Sequence, residues 1–388
     1  MKSIFKKAFA ALLAVAMVFS LAACGGNNYT AKNTEYVIGF SGPLTGPAAV
    51  YGTAVQNSAQ MAVDEINAAG GLNGVKFKLL ATDDTHDATK VAANYASMLE
   101  GGMQVSLGTV TTAPGLEFTN LSAEDNVFFI TPSASGDDIP KKDNGFQMCF
   151  ADGNQGKVAA DYVNSTGLKK IGIFYKSDDA YSNGIFKQFK ENLDSSIETV
   201  EAVFTAANET DFSAQITTLK DCEFIFMPIY YTPASIFMTQ AKDTVAADAV
   251  YYGCDGFDGL AGQFEDFSVI PQEVSMLSHF DSNATEGAAS DFIKKYTAKF
   301  GTDTLNQFGA SAYDCVYAIY NAMKAAIDAG EEIDVTISAS DLCDILKAQF
   351  TGDFSYSGVT GNNITWEDNG YVSKEAVKYT LKTANSAQ

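Results

Sequence analysis

SLGTVTTAPGLEFTNLSAEDNVFFITPSAS, residues 106–135, contains two short apolar runs that each end in small hydroxylated residues. Gln104 to Leu107 and Asn126 to Ile130 have the length and apolar content of buried strands, and Pro114 to Glu124 between them reads as a helix. A strand-helix-strand crossover makes the two strands parallel, so the hydroxyl-bearing loops Thr109 to Ala113 and Thr131 to Ser135 emerge at one sheet edge. Open α/β sheets bind small molecules at that edge. Thr111 and Thr112 precede a helix with Pro114 near its first turn, where unpaired N–H groups and the positive helix end favour an anion such as a carboxylate.

The rhythm continues on both sides. Tyr36 to Phe40 is a first strand, the turn-rich loop Ser41 to Pro47 leads to Tyr51, and Val55, Ala59, Ala62, Val63, Ile66 and Ala69 form a helix that stops at Gly70-Gly71. A second strand around Phe77, Leu79 and Leu80 ends in Asp83-Asp84, which reads as a solvated strand end, and a helix over Ala88 to Leu99 follows. Phe146 to Phe150 crosses to a second lobe. There the pattern repeats: helices Gly153–Thr166, Tyr181–Leu193, Phe212–Leu219 and Ala234–Ala241 alternate with strands Lys170–Tyr175, Thr199–Phe204, Phe224–Ile229 and Ala249–Gly253. After Val274 to Phe280 the chain returns through helices Glu286–Phe300, Phe308–Ala329 and Ala339–Phe350, and a last strand covers Ala376 to Leu381. Two α/β lobes joined by several crossings imply a cleft that closes on a small molecule.

Composition narrows the ligand. The 388 residues carry a formal charge of −22, which argues against nucleic acid. All 25 basic residues are Lys, so no guanidinium fork is available and an anion must be held by hydroxyls, amides or a Lys. That weighs against an acidic ligand such as glutamate.

Lys2, Lys6 and Lys7 precede the apolar stretch Ala8 to Ala23, the layout of an export signal. Its end, Leu21-Ala22-Ala23-Cys24, resembles the bacterial lipobox, in which the Cys receives diacylglycerol and becomes the first mature residue. Residues 1–23 are then a signal peptide and residues 24–34 a lipidated Cys with a polar tether. Cys149, Cys222, Cys254, Cys315 and Cys343 are odd in number and widely spaced, which fits buried apolar residues better than a disulfide framework or zinc site.

Enzyme signatures are missing. The chain has only His86 and His279, and no G-x-S-x-G, Walker loop or G-x-G-x-x-G. Gly253, Gly256, Gly259 and Gly262 read as a turn followed by a loosely packed helix, and Asp83, Asp84 and Asp87 lack the loop Gly and closing Glu of a calcium loop. No metal and no cofactor is expected.

Taken in order, Gly39-Phe40-Ser41-Gly42-Pro43-Leu44-Thr45-Gly46, Ala62-Val63-Asp64-Glu65-Ile66-Asn67-Ala68-Ala69-Gly70-Gly71, Asp83-Asp84, Ile130-Thr131-Pro132-Ser133-Ala134-Ser135 and Ile364-Thr365-Trp366 resemble the type I solute-binding proteins of branched-chain amino acid ABC importers, in their lipoprotein form. The resemblance implies two Rossmann-like lobes of parallel sheet flanked by helices, joined by a multi-strand hinge. It sets residues 35–151 with 280–375 in the first lobe and 152–279 with 376–388 in the second. It also implies an amino acid site formed by Tyr51, Val110, Thr111, Thr112, Ser133, Ala134, Ser135, Tyr181, Tyr230, Asp255 and Phe308. In that site Thr111, Thr112 and nearby amides hold the α-carboxylate. Asp255 meets the ammonium with the Ser133 carbonyl and Ser135, and Tyr51, Tyr181, Tyr230 and Phe308 surround the side chain. The partners implied are a free amino acid, the importer's permease subunits and the lipid bilayer through Cys24, for a monomer on the outer face of the cytoplasmic membrane. Family members with a Cys near His86 and another near Thr111 pair them; neither position is Cys in this chain. Read from the residues alone, Asp255 is also a turn residue before Gly256. An amide or urea binder on the same scaffold, and a surface sensor or adhesion lipoprotein, stay open as other functions.

Overall fold

Alternation of strand and helix runs through the computed structural model, which describes residues 33–384; Cys24 and the export signal lie outside the described residues. The first sheet comprises β1 (Tyr36–Gly42), β2 (Phe77–Asp83), β3 (Val105–Ser106), β4 (Phe129–Thr131) and β5 (Gly145–Gln147) in the order β2-β1-β3-β4-β5. All its pairings are parallel. Helices α1 (Ala49–Ala68), α2 (Val91–Glu100) and α3 (Thr112–Glu124) make the crossovers. Every residue of β1 is buried, as expected of an apolar run covered on both faces.

The second sheet comprises β6 (Lys170–Lys176), β7 (Glu198–Phe204), β8 (Phe224–Met227), β9 (Val250–Gly253), β10 (Glu273–Ser278) and β11 (Val377–Lys382), in the order β11-β10-β9-β8-β6-β7. Only the edge strand β11 runs antiparallel, against β10. Helices α4 (Asp152–Thr166), α5 (Ala180–Asn192), α6 (Ser213–Leu219) and α7 (Tyr231–Ala241) belong to this lobe, and α8 (Gly287–Phe300), α9 (Gln307–Asp328) and α10 (Ala339–Phe350) return to the first, where α9 packs along α1.

The chain passes between the sheets after β5, after β10 and before β11, and all three passages are fastened to α9. His279 Nε2 lies 2.6 Å from Ser311 Oγ, and Lys374 Nζ donates to the Met148 carbonyl at 2.8 Å. The same ammonium reaches the Thr360 hydroxyl, which donates to Asp314 at 2.6 Å. Burial pushes Lys374 down to about 8. Trp366, the single Trp of the chain, donates its indole N–H to the Gln147 carbonyl at 2.7 Å, beside the first passage.

Several boundaries differ from the sequence reading. β3 has two residues, and β4 starts at Phe129 because Asn126, at φ +49°, still belongs to a turn. α3 starts at Thr112, ahead of Pro114, which a first helical turn tolerates because that N–H has no intrahelical partner. α1 starts at Ala49, which puts Tyr51 on a helix. That helix enters so close to the preceding loop that a Cβ on Gly52 would lie 2.1 Å from the Pro43 carbonyl oxygen. The glycine series after β9 forms short 3-10 turns at Asp255–Phe257 and Leu260–Gln263. Asp83-Asp84 is not a solvated strand end: Asp84 is fully buried, accepting from the Ser41 hydroxyl and the His86 N–H, and desolvation raises it to about 6. The five cysteines of the described residues are buried and free.

Candidate functional site

Both hydroxyl-bearing loops emerge at the C-terminal edge of the first sheet and face the β9 end of the second. Between them is a narrow pocket with a cavity volume of about 10 Å³, drawn tight by the closed lobes and lined by Tyr51, Val110, Thr112, Ser133, Ser135, Tyr181, Tyr230, Asp255 and Phe308. Sequence reasoning named all nine. Two others sit behind the wall. Thr111 turns its hydroxyl to His86 Nδ1 at 2.9 Å, and Ala134 packs into the core beneath the loop, its carbonyl accepting from Gln147.

One pole of the cavity is a helix end without a cap. Thr111 is the N-cap residue of α3, with extended backbone, but its side chain makes no capping hydrogen bond. Thr112 Oγ1 is buried and has no hydrogen-bond partner. An unpaired buried hydroxyl costs about 1–3 kcal/mol, so its place at the first turn of α3, where the Thr112 N–H already meets the Tyr230 hydroxyl and Pro114 has no N–H, marks a spot prepared for a polar partner. Nearby, Thr131 Oγ1 accepts from Ala134 N–H at 2.9 Å and donates to the Thr109 carbonyl at 2.9 Å, which fixes the second loop against the first.

The opposite pole is acidic. Asp255 begins a 3-10 turn after β9, its backbone N–H donating to Gln155 Oε1 at 2.9 Å. Its carboxylate accepts from the Tyr181 hydroxyl at 2.7 Å, and that phenol oxygen accepts from Gly256 N–H at 2.9 Å. Desolvation outweighs these donors and pushes Asp255 up to about 7. Asp152, at the start of α4, is also buried and raised, by desolvation first and by Asp255 second, with the Ser135 hydroxyl beside it. No cation is among the main influences on either acid. Such a pole is complementary to an ammonium.

Aromatic rings close the sides. Tyr181 and Tyr230 stack at 4.6 Å, and Tyr51 meets Phe308 edge-on at 4.7 Å. Tyr51 also joins the lobes, its hydroxyl donating to the Gly256 carbonyl at 2.6 Å. Two further bonds cross the cleft: Thr232 Oγ1 to the Pro47 carbonyl at 3.0 Å, and Gln307 N–H to Asp258 at 2.9 Å. The lobes are therefore in a closed arrangement.

Sequence reasoning missed four residues at or beside this site. Asp152 and Gln155 stand three apart on the first turn of α4, directly after a passage between lobes, and that position was the available signal. Asp258 follows the Asp255 turn and receives an α9 N–H from the other lobe. His86 gave no signal beyond its place between Asp84 and Asp87.

Comparison with known proteins agrees with this geometry. Residues 35–382 match the family described as periplasmic binding protein. The Leu/Ile/Val-binding protein BraC3 of Rhizobium johnstonii is 30% identical over 322 residues, 80% of this chain and 84% of that protein. The isoleucine complex of the branched-chain amino acid transporter substrate binding protein LivJ from Streptococcus pneumoniae superposes with a TM-score of 0.74 at 28% identity, covering 89% of this chain and all of that one. A solute binding protein from R. palustris in complex with benzoate has the same fold, with a TM-score of 0.76 at 17% identity, over 91% of this chain and 95% of that one. With a match over nearly all of its described length, two α/β lobes and a narrow pocket between them, this chain belongs to the periplasmic binding protein family.

Proposed function

We propose that this protein is the extracytoplasmic substrate-binding lipoprotein of an ABC importer, capturing an apolar amino acid, branched-chain or aromatic, by closure of the lobes. The observation that carries the reading is the polarity of the cavity. The unpartnered Thr112 hydroxyl sits at an uncapped helix end on one side, and Asp255 lies without a cation on the other. A zwitterion enclosed there meets an opposite pole at each charge, whereas an enclosed charge without a partner costs several kcal/mol. The aromatic sides suit an apolar side chain, and the relatives that bind leucine, isoleucine and valine support the class. In this reading residues 35–151 with 280–375 and residues 152–279 with 376–388 move as two bodies about the three passages, acylated Cys24 holds the monomer at the membrane, and the loaded closed form docks on the permease.

Thermal unfolding of the purified protein with each of the twenty amino acids, acetamide, urea and benzoate tests it. A true ligand at ~100 times its dissociation constant stabilises the protein by about 2.7 kcal/mol. A response to leucine, isoleucine, valine or phenylalanine, and none to the uncharged amides, is the expected result. A response to benzoate alone would remove Asp255 as the counter-charge. Acetamide or urea alone would move the protein to amide uptake, and silence across the panel would favour a surface sensor.

A further inference from the structure

His86 touches both lobes, and its contact with Thr111 has so far been given no role in recognition. It follows β2 in a loop where Thr85 and His86 both adopt left-handed backbone, at φ +53° and +65°. Neither residue is glycine, so the conformation costs about 1–2 kcal/mol per residue and persists only where neighbours enforce it. Two carboxylates do so: Asp83 accepts from Thr85 N–H and Asp84 from His86 N–H, each at 2.9 Å. The loop thereby aims the imidazole into the cleft. Its Nδ1 lies 2.9 Å from Thr111 Oγ1, and its ring stands edge-on to Tyr230 of the other lobe at 5.4 Å. On its far side the ring lines a roomier cavity at the cleft mouth, with Lys176, Asp179 and Glu209.

An N-cap threonine ordinarily turns its side-chain oxygen onto the amides of its own helix. Thr111 occupies that position and does not, although Pro114 at the third helical position has no N–H and leaves the Ala113 N–H as its one capping partner. We propose that His86 is a positioning residue for ligand recognition: by engaging the Thr111 hydroxyl it prevents Thr111 from capping α3 and so keeps the helix end open for the carboxylate of the ligand. With the Thr112 N–H at the Tyr230 hydroxyl and no N–H on Pro114, a capped α3 would take the Ala113 N–H away from the ligand and set a lone pair against its carboxylate. A helix end left open this way stabilises the empty protein less than a capped one would, so the device exchanges stability for recognition. The inference rests on the zwitterion reading for the identity of the anion, and on the geometry alone for the release of the cap.

The test is a double-mutant cycle between His86→Phe and Thr111→Val in the full-length protein, with His86→Asn as the conservative variant. Phe keeps a ring against Tyr230 and loses the hydrogen bond. Asn tolerates left-handed backbone and keeps a polar group near Nδ1. Left-handed backbone disfavours Phe, so melting temperature is read as the coupling between the two sites. His86→Phe costs the empty protein less with Thr111 present, which is freed to cap, than in the Thr111→Val background, and it weakens leucine about tenfold in calorimetry. Leucinamide, which lacks the carboxylate, changes by less than threefold. In the Thr111→Val background His86→Phe leaves affinity unchanged, and His86→Asn stays near wild type. Equal losses for leucine and leucinamide, a melting-temperature coupling of zero, or a His86→Phe loss of affinity that persists once Thr111 has also been replaced, would overturn the proposal. If the wild-type protein binds no amino acid, the functional reading fails, and the melting-temperature cycle still decides whether His86 withholds the cap.

Discussion

Replacing Asp255 by Asn separates the cost of closing an empty cleft from the gain of closing it on a ligand. In the closed arrangement Asp255 is buried and pushed up to about 7, against an ordinary value of 3.8. Converted at 1.36 kcal/mol per tenfold, that difference sets an upper bound of about 4 kcal/mol on how far an ionised Asp255 opposes empty closure, reached when the open cleft solvates it fully. The sign follows from the direction of the shift. The closed form holds its proton more tightly than a solvated carboxylate does, so closure without ligand is easiest below pH ~4 and is progressively lost as the pH rises to about 7. At that bound the open-to-closed ratio shifts by roughly a thousandfold. An ammonium between Asp255 and the Ser135 loop removes that opposition, which makes closure depend on ligand. Small-angle scattering of the empty protein at pH 8 should give a larger radius of gyration for wild type than for Asp255→Asn. Fluorescence of Trp366, beside the first passage, should report the same difference. Leucine should compact the wild type and leave the variant unchanged. Coincident scattering curves for the two empty proteins at pH 8 would refute the reasoning, as would undiminished leucine binding by the variant.

Thr112→Val removes the unpartnered hydroxyl at nearly constant shape. The melting temperature of the empty protein should hold or rise, since about 1–3 kcal/mol of desolvation is relieved, while calorimetric affinity for the amino acid falls. Lys374 gives a pH signature for the hinge. Burial lowers it to about 8, so the folded form holds fewer protons than the unfolded one between pH ~8 and the ordinary lysine value. Its contribution to stability therefore rises with pH across that window. Thermal melts at pH 8 and pH 10 should show this increment in wild type and lose it in Lys374→Met; an identical pH slope in the two proteins would exclude Lys374 as its source.

Local patterning made the fold readable, and long-range contact hid part of the site. Continuous apolar runs such as Tyr36–Gly42 and Phe224–Met227, each followed by a helix-period stretch, specify parallel strands because only strands covered on both faces tolerate such runs. The short strands β3 and β4 were overestimated because apolar residues at their ends are buried by the loops. Cavity residues could be named where loop chemistry or family resemblance pointed at them. Thr111 and Ala134 could not be resolved from their neighbours, because the direction of a loop side chain depends on contacts such as His86 and Gln147. Asp84 looked solvated because an acid at a strand end usually is. Its burial depends on Ser41, 43 positions away. Asp152 and Gln155 became visible only once α4 and the turn after β9 were side by side.

The first two turns of α9 leave little slack between cargo and joint. Phe308 forms a wall of the cavity, Gln307 takes a carboxylate from the opposite lobe, and Ser311 and Asp314 anchor the passages through His279 and Thr360. A bulky side chain pressing on Phe308 therefore pushes on the same rod that carries the pivots. On the proposed reading, selectivity among solutes would depend partly on how far each lets that rod settle, and substitutions at Ser311 or Asp314, remote from the pocket lining, would belong among the changes that retune which one is retained.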